Sequence, residues 1–214
     1  MKIALVTGNR TGIGKAISEF LVLNGYEVPL ELRSKDYDLR QSKDCQKLAK
    51  DFIDKYGQID LLVNNVGNYE TGYIDECSAD SWREMFASNT DSVFFLTKYL
   101  LPELRKSKGK ILNLGFCGLE KLSAPADHIA YQAAKTATLV LTKAIAKEEA
   151  VNGLTVNMIS PGSMENTIET DDCLLRIPMN RLGTLTELCS IVGLIISNDY
   201  LTGQNIEIAG GRAL

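Results

Sequence analysis

The sequence predicts an α/β protein with a single Rossmann-like, doubly wound parallel sheet and helices on both of its faces. Three observations lead to this prediction. Short apolar, β-branched segments alternate with amphipathic segments throughout the chain, as they do where helical crossovers connect parallel strands. The first apolar segment runs through a glycine-rich turn into a helical segment. Only a few residues separate the second strand from Asp38, so one strand–helix unit is expected to be shortened or missing there.

Composition excludes several classes of protein. The chain has 214 residues, of which 45% are hydrophobic and 23% charged, and its net charge is −4. These values give no indication of binding to nucleic acid or to an anionic membrane. Its apolar stretches are too short for a signal peptide or a membrane helix, and we expect one domain, residues 1–214. Five scattered cysteines without a C-x-x-C pair predict reduced thiols in the cytoplasm and no metal site.

Each predicted element has a local signal. Strands are predicted where β-branched and apolar residues cluster, at residues 2–7, 27–32, 59–64, 109–114, 155–159 and 205–209. Helices are predicted from amphipathic spacing, after Gly14 and at residues 43–56, 79–87, 89–106, 129–151 and 184–197. Ser78 is a favourable N-cap for the helix that follows it, and Asn24-Gly25 is a favourable end for the first helix.

The glycine-rich turn after the first strand is predicted to bind a pyrophosphate. Its glycines let the backbone approach the anion, and the N–H groups at the start of the next helix favour negative charge. The glycine spacing differs from the more common G-x-G-x-x-G pattern, so a tight turn without a ligand is the alternative. The turn residues predicted to contact the cofactor are Gly8, Asn9, Arg10, Thr11, Gly12, Ile13 and Gly14.

The end of the second strand indicates which dinucleotide is expected. At that point an acidic residue suits the free 2′-hydroxyl of NAD(H), whereas a basic residue suits the 2′-phosphate of NADP(H). Here the strand ends at Arg33-Ser34, and Arg10 lies in the glycine turn. These residues favour NADP(H) over NAD(H). Glu31 is a contrary sign, and two solvated arginines are the alternative.

Tyr131 and Lys135 stand four residues apart at the head of a long helical segment. At that spacing the two side chains share one helix face, with the lysine one turn beyond the tyrosine. A phenol with a pKa near ~10 is a poor acid at neutral pH unless a nearby cation favours its phenolate, and Lys135 could supply that cation. Because such a pair by itself is a weak motif, two ordinary core or solvated side chains are the alternative.

Five motifs together resemble the short-chain dehydrogenase/reductase superfamily over nearly the whole chain. They are a cofactor turn, an N-N-A-G motif with alanine changed to valine, a catalytic asparagine, Tyr-x-x-x-Lys and a P-G loop. In chain order they read Thr7-Gly8-x-x-x-Gly12-Ile13-Gly14, Asn64-Asn65-Val66-Gly67, Asn89, Tyr131-x-x-x-Lys135 and Pro161-Gly162. The sequence is most similar in style to 3-oxoacyl-carrier-protein reductases, with the pteridine-reductase type as a second subtype.

The resemblance implies hydride transfer between a nicotinamide and a small carbonyl, imine or acyl-thioester substrate. It implies that Tyr131 is the acid/base, that Lys135 holds the nicotinamide ribose and lowers the Tyr131 pKa, and that Asn89 supports a chain of water molecules. Family members usually form dimers or tetramers, so a homodimer or homotetramer is expected. The further residues that the resemblance places around the cofactor are Asp38, Leu39, Asn65, Val66, Gly67, Pro161, Gly162 and Ser163.

One residue of the family pattern is missing. The serine that normally precedes the tyrosine is replaced by Gly118 when counted back from Tyr131, or by Phe116 when aligned on the preceding strand. Neither side chain donates a hydrogen bond, and the adjacent Cys117 is a weak donor. A site of the pteridine-reductase type would do without this serine and stack a flat substrate on an aromatic ring, for which Tyr69 is the candidate. The alternative is a catalytically weak or silent NADP(H)-binding sensor or scaffold.

Four residues are candidates for contact with the substrate. His128, the only histidine, lies three residues before Tyr131 on the same helix face. Its imidazole could reach the substrate, although a surface or capping role is the alternative at a helix start. The full set of candidates is Tyr69, Phe116, Cys117 and His128.

Overall fold

Six parallel strands form one sheet in the computed structural model, which describes residues 1–29, 36–122, 127–166 and 171–214, with only the backbone for residues 171–173. The strands are β1 Lys2–Val6, β2 Tyr26–Glu27, β3 Leu61–Asn64, β4 Lys110–Leu114, β5 Thr155–Pro161 and β6 Asn205–Ile208. Their order across the sheet is β2-β1-β3-β4-β5-β6. Every neighbouring pair is parallel, which confirms the predicted fold class.

Helices cover both faces of the sheet. They are α1 Gly12–Leu23, α2 Ser42–Tyr56, α3 Ala79–Phe86, α4 Ser92–Ser107, α5 Ile129–Glu149 and α6 Leu185–Ser197. Side chains of a strand alternate between its two faces. On β3, Leu62 therefore packs in one core with Phe52 of α2 and Leu100 of α4, whereas Leu61 and Val63 lie in the core beneath α1 and α6. None of the helices in the described ranges is long and apolar enough to cross a membrane.

The second strand is shorter than predicted. Its described part pairs Tyr26 with Lys2 and Glu27 with Ile3 of β1, and residues 30–32 of the prediction lie outside the described residues. In the described residues between β2 and α2 there is neither a strand nor a helix. Since β2 forms one edge of the sheet, the expected shortening of a strand–helix unit at this point is confirmed.

The helices predicted at residues 79–87 and 89–106 are joined without a break. The helix α3 continues through one turn of π-helix, Ala87–Asp91, into α4. In this turn Ser88 Oγ donates to the Glu84 carbonyl (2.8 Å) and Asn89 Nδ2 donates to the Met85 carbonyl (3.0 Å). A π-turn adds a residue to the helix and is frequent at functional sites. It places the Asn89 side chain fully inside the protein.

The predicted helix starts follow from local capping. Ser78 Oγ accepts a hydrogen bond from the Ser81 backbone N–H (3.0 Å), so the predicted N-cap of α3 is confirmed. A capping box begins α6, because Thr184 Oγ1 accepts from the Glu187 N–H and the Glu187 carboxylate accepts from the Thr184 N–H. Both caps satisfy backbone donors that a helix start leaves unpaired.

A chain of buried polar side chains joins β3, β4 and α5. Asn64 Nδ2 donates to Asn113 Oδ1 (2.9 Å), and Asn113 Nδ2 donates to Thr142 Oγ1 (2.8 Å). All three residues are buried, so these hydrogen bonds satisfy groups that would otherwise be costly to bury. The strand ends and α5 are therefore held in one register.

A buried carboxylate joins α4 and α5. Only 1% of the Glu149 side chain is exposed, and Arg105 Nε donates to its Oε2 (2.7 Å). The hydrogen bond from Arg105 lowers the pKa of Glu149. The pair therefore supplies an ionic connection between two helices that cover the same face of the sheet.

Replacing Arg105 by alanine is expected to lower the free energy of unfolding by about 2 kcal/mol at pH 7, because a buried carboxylate loses its charged partner. The matched control is Lys106→Ala on the same helix, whose ion pair with Glu103 is exposed and is worth less than ~1 kcal/mol. Urea unfolding of both variants measures the difference. Equal stabilities at pH 7 would contradict the role given to Arg105.

The same pair predicts a pH dependence. Because the folded-state pKa of Glu149 is lowered, its stabilisation is present above the pKa of an unfolded glutamate and is lost as the pH falls through the folded value. The stability difference between the native chain and Arg105→Ala should therefore shrink under acidic conditions.

Candidate active site

A tight glycine turn connects β1 to α1 at the carboxyl edge of the sheet. Gly8 and Gly12 have φ angles of +65° and +55°, which residues with a Cβ adopt only with strain. A Cβ atom on Gly14 would lie 2.3 Å from the Gly8 carbonyl oxygen, so only glycine fits there. The turn thus holds its backbone close against the start of α1, as a pyrophosphate site requires.

Thr7 connects this turn to β3, a role that the sequence did not reveal. Its hydroxyl accepts hydrogen bonds from the backbone N–H groups of Asn65 (2.9 Å) and Val66 (3.0 Å). Asn65 Nδ2 in turn donates to the carbonyls of Thr7 (3.0 Å) and Gly8 (3.3 Å). Three predicted cofactor residues, Gly8, Asn65 and Val66, are thereby brought together. A hydroxyl between a buried strand and the first glycine is the signal that could have identified Thr7.

The other residues of the glycine turn differ in orientation. Arg10 and Thr11 are exposed, and Ile13 packs against the core beneath α1 and α6. Asn9 is buried, and its Nδ2 donates to the Pro29 carbonyl (3.0 Å). Its side chain therefore braces the segment after β2 and does not face a ligand, so a side-chain contact between Asn9 and the cofactor is not supported.

The predicted adenine side lies before α2. The Asp38 carboxylate accepts hydrogen bonds from Arg40 Nε (2.8 Å) and Nη2 (2.9 Å), and the hydrogen bond from Arg40 lowers the pKa of Asp38. Leu39 packs against the core beneath α2, so its side chain faces the interior. Arg33 and Ser34, the predicted contacts to the 2′-phosphate, lie outside the described residues.

The P-G loop follows β5 at the same edge. The Pro161 carbonyl accepts a hydrogen bond from the Cys117 N–H (3.0 Å). A Cβ on Gly162 would lie 2.9 Å from the backbone that follows β6. Ser163 is buried, and its hydroxyl bonds to Arg212. These contacts place the loop beside the residues that follow β4.

Lys135 is buried at the carboxyl end of β4. Its Nζ donates to the Leu114 carbonyl (2.8 Å), and only 5% of the residue is exposed. Burial lowers the pKa of Lys135 to about 8, because a charged ammonium loses its hydration inside the protein. Lys135 therefore holds its proton more weakly than an ordinary lysine does.

Gly67 lets Asn89 and Lys135 approach one point. A Cβ on Gly67 would lie 2.2 Å from Asn89 Oδ1 and 3.4 Å from Lys135 Nζ. Asn89 Nδ2 donates to the carbonyls of Asn68 (2.9 Å) and Met85 (3.0 Å), but Asn89 Oδ1 is buried without a hydrogen-bond partner among the described residues. A buried acceptor needs a donor from elsewhere, which fits the water chain that the resemblance implies.

Tyr131 belongs to a group of four rings, here called the aromatic cluster, which consists of Tyr69, Phe116, His128 and Tyr131. Tyr69 meets Tyr131 edge-on, with ring centroids 4.9 Å apart, and Phe116 lies tilted against Tyr131 at 5.3 Å. The His128 ring lies 6.5 Å from that of Tyr131. The three substrate candidates that have rings therefore meet at Tyr131. The fourth candidate, Cys117, is close enough to influence the Tyr131 pKa.

Burial raises the pKa of Tyr131, and the nearby Tyr69 and Cys117 raise it further. The resemblance implied that Lys135 lowers the Tyr131 pKa, but in the chain without cofactor this pKa is raised. Lys135 Nζ lies 5.8 Å from the centroid of the Tyr131 ring, and the loss of hydration outweighs its charge. The phenol is therefore protonated at neutral pH.

The two alignments of the missing serine lead to different places. Phe116 contacts Tyr131 directly. The Gly118 N–H instead donates to Glu207 Oε1 (2.7 Å), and a Cβ on Gly118 would have no atom within 4 Å among those described. The residue beside the tyrosine is thus Phe116, whose side chain has no hydrogen-bond donor.

A doubly wound sheet with a glycine turn after its first strand and a tyrosine–lysine pair at its carboxyl edge is the arrangement of a dinucleotide-dependent oxidoreductase. Comparison with known proteins gives the family. Residues 30–213 match the family described as enoyl-(acyl carrier protein) reductase. The chain belongs to the short-chain dehydrogenase/reductase family and is an enzyme of that family, with a nicotinamide cofactor.

Similar proteins match nearly the whole chain. The 3-oxoacyl-[acyl-carrier-protein] reductase FabG of Vibrio cholerae is 30% identical over 98% of this chain and 96% of its own length. YtkK of Bacillus subtilis, named as an oxidoreductase, is 29% identical over 99% of this chain and 96% of its own length. The alignment with YtkK spans 245 positions against 214 residues here, so YtkK has residues that this chain lacks.

No group of three or more histidine, cysteine, aspartate or glutamate side chains that could hold a metal ion is found in the described part of the chain.

Replacing Lys135 by methionine is expected to raise the free energy of unfolding at pH 7 by about 2 kcal/mol, because an apolar side chain replaces a buried ammonium. The matched control is Lys143→Met on the same helix, where the lysine is exposed beside Glu120 and the expected change is within ~0.5 kcal/mol. Thermal or urea unfolding measures both. A Lys135→Met protein less stable than the native chain at pH 7 would contradict the burial cost.

The advantage of Lys135→Met should also depend on pH. The folded pKa of Lys135, about 8, lies below the value of 10.5 for a free lysine, so the unfolded chain binds more protons between these values. The stability of the native chain therefore rises with pH across that window. The difference between the two proteins should shrink as the pH rises above 8.

Proposed function

We propose that this protein uses NADPH to reduce a carbonyl or imine, and that Tyr131 supplies the proton. The observation that carries the proposal is the meeting of Tyr131, Lys135 and Asn89 at the carboxyl edge of the sheet. A buried phenol, a buried ammonium with a lowered pKa and a buried amide oxygen without a partner are costly to assemble. Such a group of perturbed side chains is typical of a catalytic site.

The cofactor would lie along the carboxyl edge, between the glycine turn and Lys135. Two observations support this placement. The glycine turn is so tight that a Cβ on Gly14 would clash with it. Asn89 Oδ1 is buried without a hydrogen-bond partner among the described residues. The segments that would hold it are residues 8–14 at the pyrophosphate, 38–39 at the adenine, and 65–67 and 161–163 toward the nicotinamide. When bound, the reduced nicotinamide supplies a hydride.

In the proposed reduction of a carbonyl, the substrate carbon gains the hydride, the C=O π bond breaks, and the oxygen takes a proton from Tyr131. A C–H and an O–H bond are formed, and Tyr131 is left as a phenolate. The Lys135 ammonium stabilises that phenolate. The phenolate regains a proton from solvent through water, for which Asn89 Oδ1 is an available acceptor. The raised pKa of Tyr131 suits a group that must be protonated before the step.

Two observations bear on the substrate. The FabG relatives are named as reductases of 3-oxoacyl-[acyl-carrier-protein], whereas the matched family is described by an enoyl substrate. The aromatic cluster favours a flat, conjugated substrate, because a ring stacked on an aromatic side chain gains ~0.5–1.5 kcal/mol beyond area burial. A 3-oxoacyl thioester and a pteridine-like ring are thus the two substrate types of the proposal.

The second candidate function is an NADP(H)-binding sensor or scaffold. It is favoured by Phe116, which replaces a hydrogen-bond donor beside Tyr131 with an apolar ring. Loss of one oxyanion donor typically slows an enzyme by about 10²–10³ in kcat. The presence of Tyr131, Lys135 and Asn89 argues against a sensor or scaffold, because a protein that only binds the cofactor would not need all three.

The proposal includes a single-domain chain that acts as a homodimer or homotetramer in the cytoplasm. Exposed apolar side chains on two long helices, Phe94 on α4 and Val140 on α5, are available for contacts between subunits. Among the cysteines whose side chains the structure describes, Cys45, Cys77 and Cys189 are free thiols, which supports a reducing compartment.

Replacing Tyr131 by phenylalanine is expected to lower kcat by on the order of 10³-fold, because the proton donor is lost while the ring is kept. NADPH oxidation would be followed with a 3-oxoacyl thioester, a dihydropteridine, a quinone and a simple diketone. The matched control is Tyr99→Phe, which removes a hydroxyl that hydrogen-bonds to Ser42 of α2 (2.7 Å). Undiminished turnover in Tyr131→Phe would refute the proposed mechanism. NADPH binding without turnover on any substrate would favour the sensor.

Replacing Arg10 by alanine is expected to weaken NADPH binding by about 10- to 100-fold and to leave NADH binding unchanged, because a charged hydrogen bond to the 2′-phosphate is lost. The control is Lys15→Ala, an exposed cation in the first turn of α1 that pairs with Glu19. Fluorescence titration with both dinucleotides measures the two affinities. Equal losses for NADPH and NADH would argue against contact between Arg10 and the phosphate.

A further inference from the structure

In the proposed reduction, negative charge develops on the substrate oxygen. The Tyr131 phenol would give that oxygen only one hydrogen bond. Donors aimed at such an oxygen are often the largest contribution to catalysis. The side chain of Phe116 has no donor, and the thiol of Cys117 is a weak one. A second strong donor in the aromatic cluster would therefore change what the site can do.

His128 is bonded to a carboxylate at the edge of the aromatic cluster. Its Nδ1 lies 2.9 Å from Asp127 Oδ1. His128 is the N-cap residue of α5, yet its side chain makes no capping hydrogen bond, so the capping alternative does not account for its position. The side chain is largely enclosed, with 22% exposed. Because Nδ1 is engaged, Nε2 on the other side of the ring is the nitrogen that can serve a ligand.

Backbone contacts and rings hold this pair in place. The Gly72 N–H donates to the Asp127 carbonyl (2.6 Å), and Gly72 forms a β-bridge with His128. The imidazole meets the Phe116 ring edge-on at 5.8 Å, and the Tyr69 ring lies at 6.2 Å. The histidine is thus held in the same cluster as Tyr131 by contacts from both its backbone and its ring.

We propose that His128, oriented by Asp127, donates the second hydrogen bond to the substrate oxygen and so takes over the task of the missing serine hydroxyl. This inference rests on the proposed reduction. Two hydrogen bonds of about 2.8 Å to one oxygen place their donor atoms within about 5 Å of each other. The 6.5 Å between the ring centroids of His128 and Tyr131 allows that spacing.

The donor is the imidazolium form of the ring. Nδ1–H bonds to Asp127 and Nε2–H bonds to the substrate oxygen, because a neutral ring with its hydrogen on Nδ1 would have only an acceptor at Nε2. His128 keeps its proton throughout, and the proton that is transferred comes from Tyr131. The Asp127 carboxylate accepts the Nδ1–H and so fixes the ring with Nε2 turned away from it.

Activity should then depend on the carboxylate that orients His128. Asp127→Asn should lower kcat, because the charged partner of Nδ1 is gone. Asp75→Asn, which removes an exposed carboxylate, is the matched control and should leave kcat unchanged.

The test uses the full chain, NADPH and the member of the substrate panel that it reduces best. His128→Phe keeps a ring but removes both nitrogens, and it should lower kcat by on the order of 10²-fold with little change in KM. In that background, Phe116→Ser should restore at least a tenth of the native kcat, because a hydroxyl donor returns beside Tyr131.

The outcomes separate this inference from the proposal beneath it. If His128→Phe keeps the native kcat while Tyr131→Phe is inactive, the inference fails and the reduction stands. If kcat falls in His128→Phe but Phe116→Ser does not restore it, the ring acts only by packing and the inference fails again. If Tyr131→Phe is as active as the native chain, the reduction itself is refuted.

Discussion

The burial of the Lys135 ammonium at the end of β4 is the constraint on which the rest of the site depends. Inside the protein the charge loses its hydration. Among the described residues, Lys135 Nζ donates a hydrogen bond to the Leu114 carbonyl. Such a cation is tolerated only where partners are brought to it. Gly67 has no side chain to stand in the way, and a π-turn carries the Asn89 amide to the same point. The π-turn and the glycine at position 67 are thus both explained by the approach of Asn89 to the buried Lys135.

Shortening the sheet at one edge has left its centre intact. The strands that carry the site are β1, β3, β4 and β5, which pair with one another in parallel at the centre of the sheet. Thr7 ties the glycine turn to the end of β3, and the chain of Asn64, Asn113 and Thr142 ties β3 and β4 to α5. Because these contacts lie between central strands, loss of a peripheral unit beside β2 does not disturb the tyrosine and the lysine.

Phe116 stands beside Tyr131 at the position where the resemblance implies a serine. Its side chain offers a ring and no hydrogen-bond donor. Burial raises the pKa of Tyr131 in these surroundings. In the proposed reduction the substrate oxygen would therefore need a donor besides Tyr131, and the His128–Asp127 pair is the one that we propose.

The sequence by itself determined the class of fold, the glycine turn, the tyrosine–lysine pair and the loss of the serine, because each depends on spacing within a short segment. It also predicted the N-cap at Ser78. Only the tertiary structure decided that the buried Asn9 side chain bonds to the Pro29 carbonyl, that Phe116 and not Gly118 stands beside Tyr131, and that Asp127 holds His128 against the aromatic cluster. The Tyr131 pKa was expected to be lowered by Lys135, whereas in the chain without cofactor burial raises it. Burial and contacts between distant segments govern these features, and neither is encoded in local spacing.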